Sequence, residues 1–519
     1  MNRYKILYVV LSFILVLSLL LVGCSNSAQN DGKNKDLTVA VASNPSTLDP
    51  HDTQDAVAYG IQNPMYEGLI AFDQDNKLVP VLAESLPELS KDALSLTFKL
   101  KQGIKFQDGT DFNADAVKAN IDRLKNPNNK LKRASLFVAV DHVEVIDPYT
   151  VKIVLSKPFA AIVQTFAHPA AAMISPKAIA EAGGDISRHP AGTGPYEFVE
   201  WKDGQYIAMK KFDGYWNKDN MPALNKITFK FVTEAGSRVA MLKTGEAQYV
   251  YPLPPEQVEN IKTDKNLTVE ESSSVGERFI AFNMTKKPFT DKKVRQALNY
   301  AIDKDTLINV VLKGFGTPAE SAIAPKVWGF QKQQMYPYDV EKAKQLLTEA
   351  GYPDGFETTF WCSNSTETLR LAEFIQQQWQ AVGVKINLQT FESAAWIKQV
   401  SVKPEESQMQ VTTTSWSPST GEADWGIRPL MSKDMFPTAG FNFGFYSNEQ
   451  VEKDLIVGVQ SGDDAERLQA YADAQKRIVE DAPWVFLYVN KNVAAKRNNL
   501  AGIYVLPDGT INAAHAKFE

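Results

Sequence analysis

Gly192-Thr193-Gly194-Pro195-Tyr196, continued by Glu197-Phe198-Val199-Glu200-Trp201, is the stretch on which the reading of this chain turns. Two glycines and a proline predict a tight turn, because glycine permits positive φ and proline presets a bend. A run with aromatic and β-branched residues follows at once, and Gln205-Tyr206-Ile207-Ala208-Met209 repeats the strand character after Asp203-Gly204. Asp213-Gly214-Tyr215-Trp216 then leads into Lys226–Val232, which alternates polar with apolar side chains. Arg238–Glu246 reads as a helix stopped at Gly245. Taken alone, this is a piece of a mixed α/β domain.

Working outward, Leu37–Ala42 predicts an opening strand, broken by Asn44-Pro45-Ser46-Thr47-Leu48-Asp49-Pro50 and followed by Met65-Tyr66-Glu67-Gly68-Leu69-Ile70. Asn113 can cap a helix whose Val117, Ile121 and Leu124 share a face. Val143–Asp147 and Thr150–Leu155 pair as a hairpin across Pro148-Tyr149. On the other side, Glu277–Asn283 is a strand, and helices follow Asp291 and Asp303, the first with Val294, Ala297, Leu298 and Ala301 on its buried face. Another stripe is Ala343, Leu346, Leu347 and Ala350. Glu357–Trp361, a helix marked by Leu371, Phe374, Ile375, Trp379 and Val382, and Val384–Leu388 form a crossover unit. Such a unit favours a parallel strand pair.

A chain of 519 residues exceeds one compact core and predicts two or three domains. Its formal charge of −6, with no long basic run after the N-terminus, argues against nucleic acid as a partner. At the N-terminus, Arg3 and Lys5 precede the uncharged Ile6–Val22, and Leu21-Val22-Gly23-Cys24 closes the segment. That order is what a secretion signal needs, although seventeen uncharged residues also reach the lower limit for an uncleaved membrane anchor. Residues 24–36 read as a polar, flexible tether. With Cys24 at that junction, Cys362 is left alone, so packing rather than a disulfide must hold the fold. Cys362 sits in Phe360-Trp361-Cys362 with no histidine near in sequence, which favours a buried thiol over a nucleophile.

The chain contains no G-x-x-x-x-G-K-[ST] phosphate loop, no G-x-S-x-G elbow and no H-E-x-x-H. Its five histidines (His51, His142, His168, His189 and His515) are scattered, each read as a surface or core residue, and no metal site or cofactor is expected. A dispersed metal site stays open as an alternative. The candidate site is Thr412–Trp425, where hydroxyls, two tryptophans and two carboxylates converge in a turn-rich segment after the strand Gln408–Thr413. The residues expected to meet a ligand are Trp416, Ser417, Ser419, Thr420, Glu422, Asp424, Trp425 and Arg428. They offer the fixed charge, local hydrogen-bonding groups and apolar wall that an amine-bearing, peptide-like ligand requires. An ordinary polar loop is the alternative reading.

Several of these segments, in this order, resemble the extracytoplasmic solute-binding proteins (family 5) of peptide and nickel ABC importers. The likeness is carried by P-x-x-L-D-P, Y-E-G-L, K-F-x-D-G-x at 105–110, G-T-G-P-Y, F-D-G-Y-W, L-K-T-G-E, V-R-Q-A-L-N-Y-A-I-D-K, A-K-Q-L-L-T-E-A-G-Y-P-D-G and Q-A-V-G-V-K-I. It implies an α/β fold like a type II periplasmic binding protein, with two major lobes joined by a hinge and a small inserted lobe. The lobes it implies are a base lobe from residues 37–79, 190–275 and 488–519, a small lobe from 80–189, and a second major lobe from 276–487. Residues 1–23 are the implied signal peptide, and Cys24 matches the lipobox cysteine that carries lipid in bacterial lipoproteins.

In peptide-binding members an Asp three residues after the Trp holds the ligand's amino terminus; here that position is Ser419, and the acids come later, as Glu422 and Asp424. The variant S-W-S-P-S-T-G-E-A-D-W-x-x-R-P-L, with E-R-F-I-A-F-N-M-T-K-K-P-F-T-D, looks like the glutathione-binding branch. For such a zwitterion, Asp424 and Arg428 would make a suitable acid–base pair. The implied function is a monomeric, non-enzymatic, lipid-anchored binding protein outside the cytoplasm, at the cell surface or in the periplasm. Its implied partners are a peptide-like solute and an ABC permease with its ATPase subunits. A nickel- or metal-chelate-binding member and a secreted peptide hydrolase are the alternatives.

Overall fold

The computed structural model describes residues 35–519; the expected signal peptide, Cys24 and all but the end of the expected tether lie outside the described residues. Eleven strands form one mixed sheet: β1 (Asp36–Val41), β2 (Tyr196–Lys202), β3 (Tyr206–Lys211), β4 (Lys226–Phe231), β5 (Tyr249–Tyr251), β6 (Leu267–Phe282), β7 (Gly316–Pro318), β8 (Glu357–Ser363), β9 (Lys385–Phe391), β10 (Val411–Trp416) and β11 (Trp484–Arg497). Their order is β9-β8-β10-β6-β11-β5-β1-β4-β3-β2, with β7 added beside β11. The crossover unit read from the sequence is present: β8 and β9 are parallel and joined through the helix Thr366–Gln380.

Strands β6 and β11 run through both halves of the sheet. Leu267–Ser273 pairs with Lys491–Arg497 on the base-lobe side, and Glu277–Ala281 pairs with Trp484–Val489 on the other. The sequence reading began β6 only at Glu277, because Glu270-Glu271-Ser272-Ser273-Ser274 carries no apolar alternation. The ladder with β11, rather than burial, makes that segment a strand.

Each lobe has its own core. Leu37, Val39, Tyr196, Ile207 and Phe229 centre the base lobe. In the second lobe, Ile280 and Phe282 on one sheet face pack with Trp379 and the helix Lys292–Tyr300, while Phe279 and Ala281 on the other pack with Ile427, Tyr471 and Trp484. Cys362 is buried in the first of these layers, and burial pushes its thiol up to about 11. The small lobe has an antiparallel sheet of Glu88–Leu89, Ser95–Lys99, Thr150–Leu155 and Val140–Asp147, covered by the helix Ala114–Lys125. Asn113 caps that helix by accepting from Ala116 N at 3.0 Å. Arg123 from the same helix donates to Asp49 at 2.5 and 3.1 Å, which ties the L-D-P turn of the base lobe to the small lobe.

The glycines of Gly192-Thr193-Gly194 do not serve the turn expected of them, since neither has positive φ. They permit a close approach instead. A Cβ on Gly192 would lie 2.3 Å from Met65 O, and one on Gly194 would lie 2.6 Å from Pro64 O. Gly194 N and Tyr196 N donate to Met65 O and Pro64 O at 3.0 and 2.9 Å. This contact brings Thr193 to Glu67, whose carboxylate accepts from Thr193 Oγ1, Tyr215 OH and Trp216 Nε1, each at 2.8 Å. Three separate sequence motifs therefore meet on one carboxylate. Gly192→Ala should destabilise the fold by about 1–3 kcal/mol, because the nearest obstructing atom, Met65 O, is backbone and cannot rotate away. Denaturant unfolding of the variant measures this, and an unchanged midpoint would contradict the close-approach account.

Candidate functional site

The two major lobes meet across a cleft. A hairpin of the base side, Ile70–Phe72 with Leu78–Pro80, carries Asn76, whose Nδ2 donates to Lys326 O at 2.9 Å and Gly421 O at 3.3 Å. Lys326 Nζ donates back to Gln74 O at 2.8 Å. Gly421 has φ +64°, and a Cβ there would lie 2.6 Å from Asn76 Nδ2, so glycine is required both for the backbone and for the contact.

Behind this contact is a cavity of about 180 Å³. Tyr66, Glu67, Phe72 and Asp508 are among the side chains on its base-lobe side, His168 comes from the small lobe, and Pro418 and Ser419 come from the second lobe. No Lys or Arg lines it among the described residues. Burial raises the carboxyl of Glu67 against its three donors. Burial also raises Asp508, whose two oxygens accept from Thr510 N and Thr510 Oγ1 at 2.9 Å each. His168 is kept neutral by burial; its Nδ1 accepts from Ala170 N at 2.9 Å, which leaves the proton on Nε2. The walls are aromatic and apolar with a few polar groups, and their charged groups are acids. Such a surface suits an apolar body with a cationic end.

Of the sequence-predicted residues, Ser419 lines this cavity, and the others occupy different places. Trp416 ends β10; its Nε1 donates to Trp425 O at 2.8 Å and its ring lies 5.1 Å from that of Phe441. Ser417 is exposed and Thr420 buried. Residues 423–431 form a helix where the sequence suggests a turn-rich segment, which places Asp424, Trp425 and Arg428 on a helix. Gly426 and Pro429 hide that helix from a propensity reading. Its start is fixed by Glu422, the N-cap, which accepts from Asp424 N at 2.6 Å. Glu422 is fully buried and also accepts from Arg467 Nη2 at 2.7 Å, while the Arg467 guanidinium lies 4.3 Å from the Trp328 ring centre. Burial pushes the Glu422 carboxyl up, and Arg467 opposes it. Asp424, 1% exposed, receives both arms of Arg428, Nε at 2.6 Å and Nη2 at 2.7 Å. The acid and base one turn apart are thus paired with each other.

Sequence reasoning missed Glu67, His168 and Asp508 as cavity residues. Glu67 stood in the open within Y-E-G-L, but nothing local shows that three distant donors converge on it. Among the described residues no cluster of three His, Cys, Asp or Glu has the geometry to hold a metal ion, and no helix is long and apolar enough to cross a membrane.

Residues 77–436 match the family described as bacterial extracellular solute-binding proteins, family 5 middle. The chain belongs to this family. As a family 5 protein it is 45% identical over 476 residues to the glutathione-binding protein GsiB of Salmonella typhimurium, covering 91% of this chain and 93% of that protein. Its fold is similar to that of HbpA2 from Haemophilus parasuis, with a TM-score of 0.83, 28% identity, and coverage of 93% of this chain and 100% of that one. It is also similar to a dipeptide-binding protein from Pseudoalteromonas sp. SM9913 solved with Met-Leu, with a TM-score of 0.75, 25% identity, and coverage of 93% and 100%. The fold is thus that of the periplasmic binding proteins, with two major lobes, a hinge and a small inserted lobe, and the family binds solutes of the peptide type.

The buried pair behind the cleft loop of this family 5 chain can be tested directly. Arg467→Met leaves Glu422 buried without its guanidinium and should lower stability by about 3–5 kcal/mol. The double variant Glu422→Gln/Arg467→Met should lose much less than the sum of the singles, as measured by denaturant unfolding. Additive losses would mean that the two side chains stabilise the fold independently.

Proposed function

We propose that this protein captures a small peptide-like solute between its two major lobes and hands it to an ABC permease with its ATPase subunits. The observation that carries this reading is the cavity behind the Asn76–Gly421 contact, walled by Tyr66, Phe72 and Asp508 on one side and by Pro418 and Ser419 on the other. Only closure of one lobe on the other brings those walls together, so binding and closure are the same event.

Glutathione is the first solute to try, supported by 45% identity to a glutathione-binding protein over nine-tenths of the chain. Its ammonium suits the acidic lining, and di- or oligopeptides share that end. The domain division is read as base lobe 37–79, 190–275 and 488–519, small lobe 80–189 and second major lobe 276–487. Cys24 would carry the lipid that holds the protein, as a monomer, outside the cytoplasm at the cell surface or in the periplasm.

Calorimetry and mass spectrometry together separate binding from hydrolysis: one equivalent of glutathione or dipeptide should bind and be recovered intact, whereas steady production of fragments would mean a hydrolase. Ser419→Phe should fill the second-lobe side of the cavity and weaken that binding roughly tenfold or more, at unchanged thermal stability. Full affinity in this variant would place the solute elsewhere.

A further inference from the structure

Glu277 lies on β6 at the centre of the molecule, and strand alternation puts its side chain on the same face as Val275 and Phe279. It is 4% exposed, and neither carboxylate oxygen has a hydrogen-bond partner among the described residues. Its backbone is paired with Trp416 on one side and Val489 on the other. The side chain lines a space of about 10 Å³ walled by Trp416, Pro418, Ile323, Leu430 and Trp484. That is room for one water- or ammonium-sized group. Pro418 also lines the larger cavity, so the two spaces are neighbours across one residue.

Among the described residues no basic side chain forms an ion pair with Glu277, although the buried Lys304 lies close enough to act on it. Lys304 bears on it electrostatically but forms no ion pair with it, and the Lys304 ammonium lies 3.5 Å from Tyr336 O. Arg278 projects from the opposite face and donates to Thr368 Oγ1 at 2.9 Å. Other carboxylates near the cleft are committed: Asp424 to Arg428, Glu422 to Arg467, and Glu67 to three neutral donors. A buried carboxyl without a partner is costly as an anion: it takes up a proton when the site is empty and ionises when something else supplies the positive charge. Burial lifts its carboxyl well above the usual carboxylate range, against the pull of Lys304.

We propose that Glu277 is the counter-ion for the primary ammonium of the bound solute, with Trp416, Pro418 and Trp484 forming a water-excluding cage around that ion pair. The proposal rests on the solute-binding reading above and names the group that reads the amino end. It gives Trp416 the role of cage wall, and it leaves Asp424 to orient Arg428.

The test uses calorimetry on the purified protein with glutathione and with glutathione acetylated at its amine, and with a dipeptide and its N-acetyl form. The parent should prefer the free amines. Glu277→Gln, which keeps the shape and removes the charge, should lose roughly thirtyfold or more for the free amines and little for the acetylated forms. Its solute-free melting temperature should equal or exceed that of the parent, because an unpaired buried carboxylate has been removed. If the variant binds free amines like the parent, or loses both forms alike, Glu277 is not the ammonium partner, although the solute-binding reading stands. If the parent binds none of the four compounds while melting as a folded protein, that reading fails and this proposal with it.

Discussion

Strands β6 and β11 pair along nearly their full lengths, and the two major lobes hang from opposite ends of this one ladder. The pairing is interrupted at its middle: Ser273 pairs with Lys491 and Glu277 with Val489, so Ser274, Val275 and Gly276 stand against the single residue Asn490. Within that bulge, Gly276 N donates to Ser274 Oγ at 2.6 Å rather than to the neighbouring strand, and Val275 N donates to Pro507 O, in the turn between the short paired strands Tyr504–Val505 and Ile511–Asn512. Ladder hydrogen bonds resist bending, and their local loss places the compliance of the molecule here. This is the point where the ladder shared by the two lobes is interrupted, and Glu277 is the first residue beyond it.

The chemistry of the cleft follows from which charges are already satisfied. Asp424–Arg428 and Glu422–Arg467, the latter stacked against Trp328, use up their charges in holding the second-lobe wall in one shape. Buried pairs of this kind add little net stability, but losing one partner is severe, so they suit a wall that must keep its geometry while another lobe moves against it. The carboxylates that line the cavities without an ion-pair partner are Glu67 and Asp508, held by neutral donors, and Glu277, which has no hydrogen-bond partner; of these Glu277 is the one left free to meet a cationic ligand.

Much of the fold was legible because it rests on local signals. Asn113 and Asp303 cap the helices that follow them, and the β8–helix–β9 unit has the parallel order its hydrophobic periods imply. What was not legible depends on partners distant in sequence. The glycines at 192 and 194 read as turn residues, yet their role is to admit the backbone of residues 64–66. Helix 423–431 was hidden by Gly426 and Pro429. One signal was available and unused: in Glu277-Arg278-Phe279-Ile280-Ala281, alternation puts Glu277 on the same buried face as Phe279 and Ala281. A charge at such a position asks for a counter-charge, and the adjacent Arg278 falls on the opposite face.

The central claim is that solute draws the two lobes together about the bulge in β6. Small-angle X-ray scattering of the protein alone and with saturating solute measures it most directly. The account predicts a smaller radius of gyration with solute bound, because the cavity walls from the two lobes meet only in the closed form. A radius that stays the same while calorimetry shows the site to be filled would contradict it.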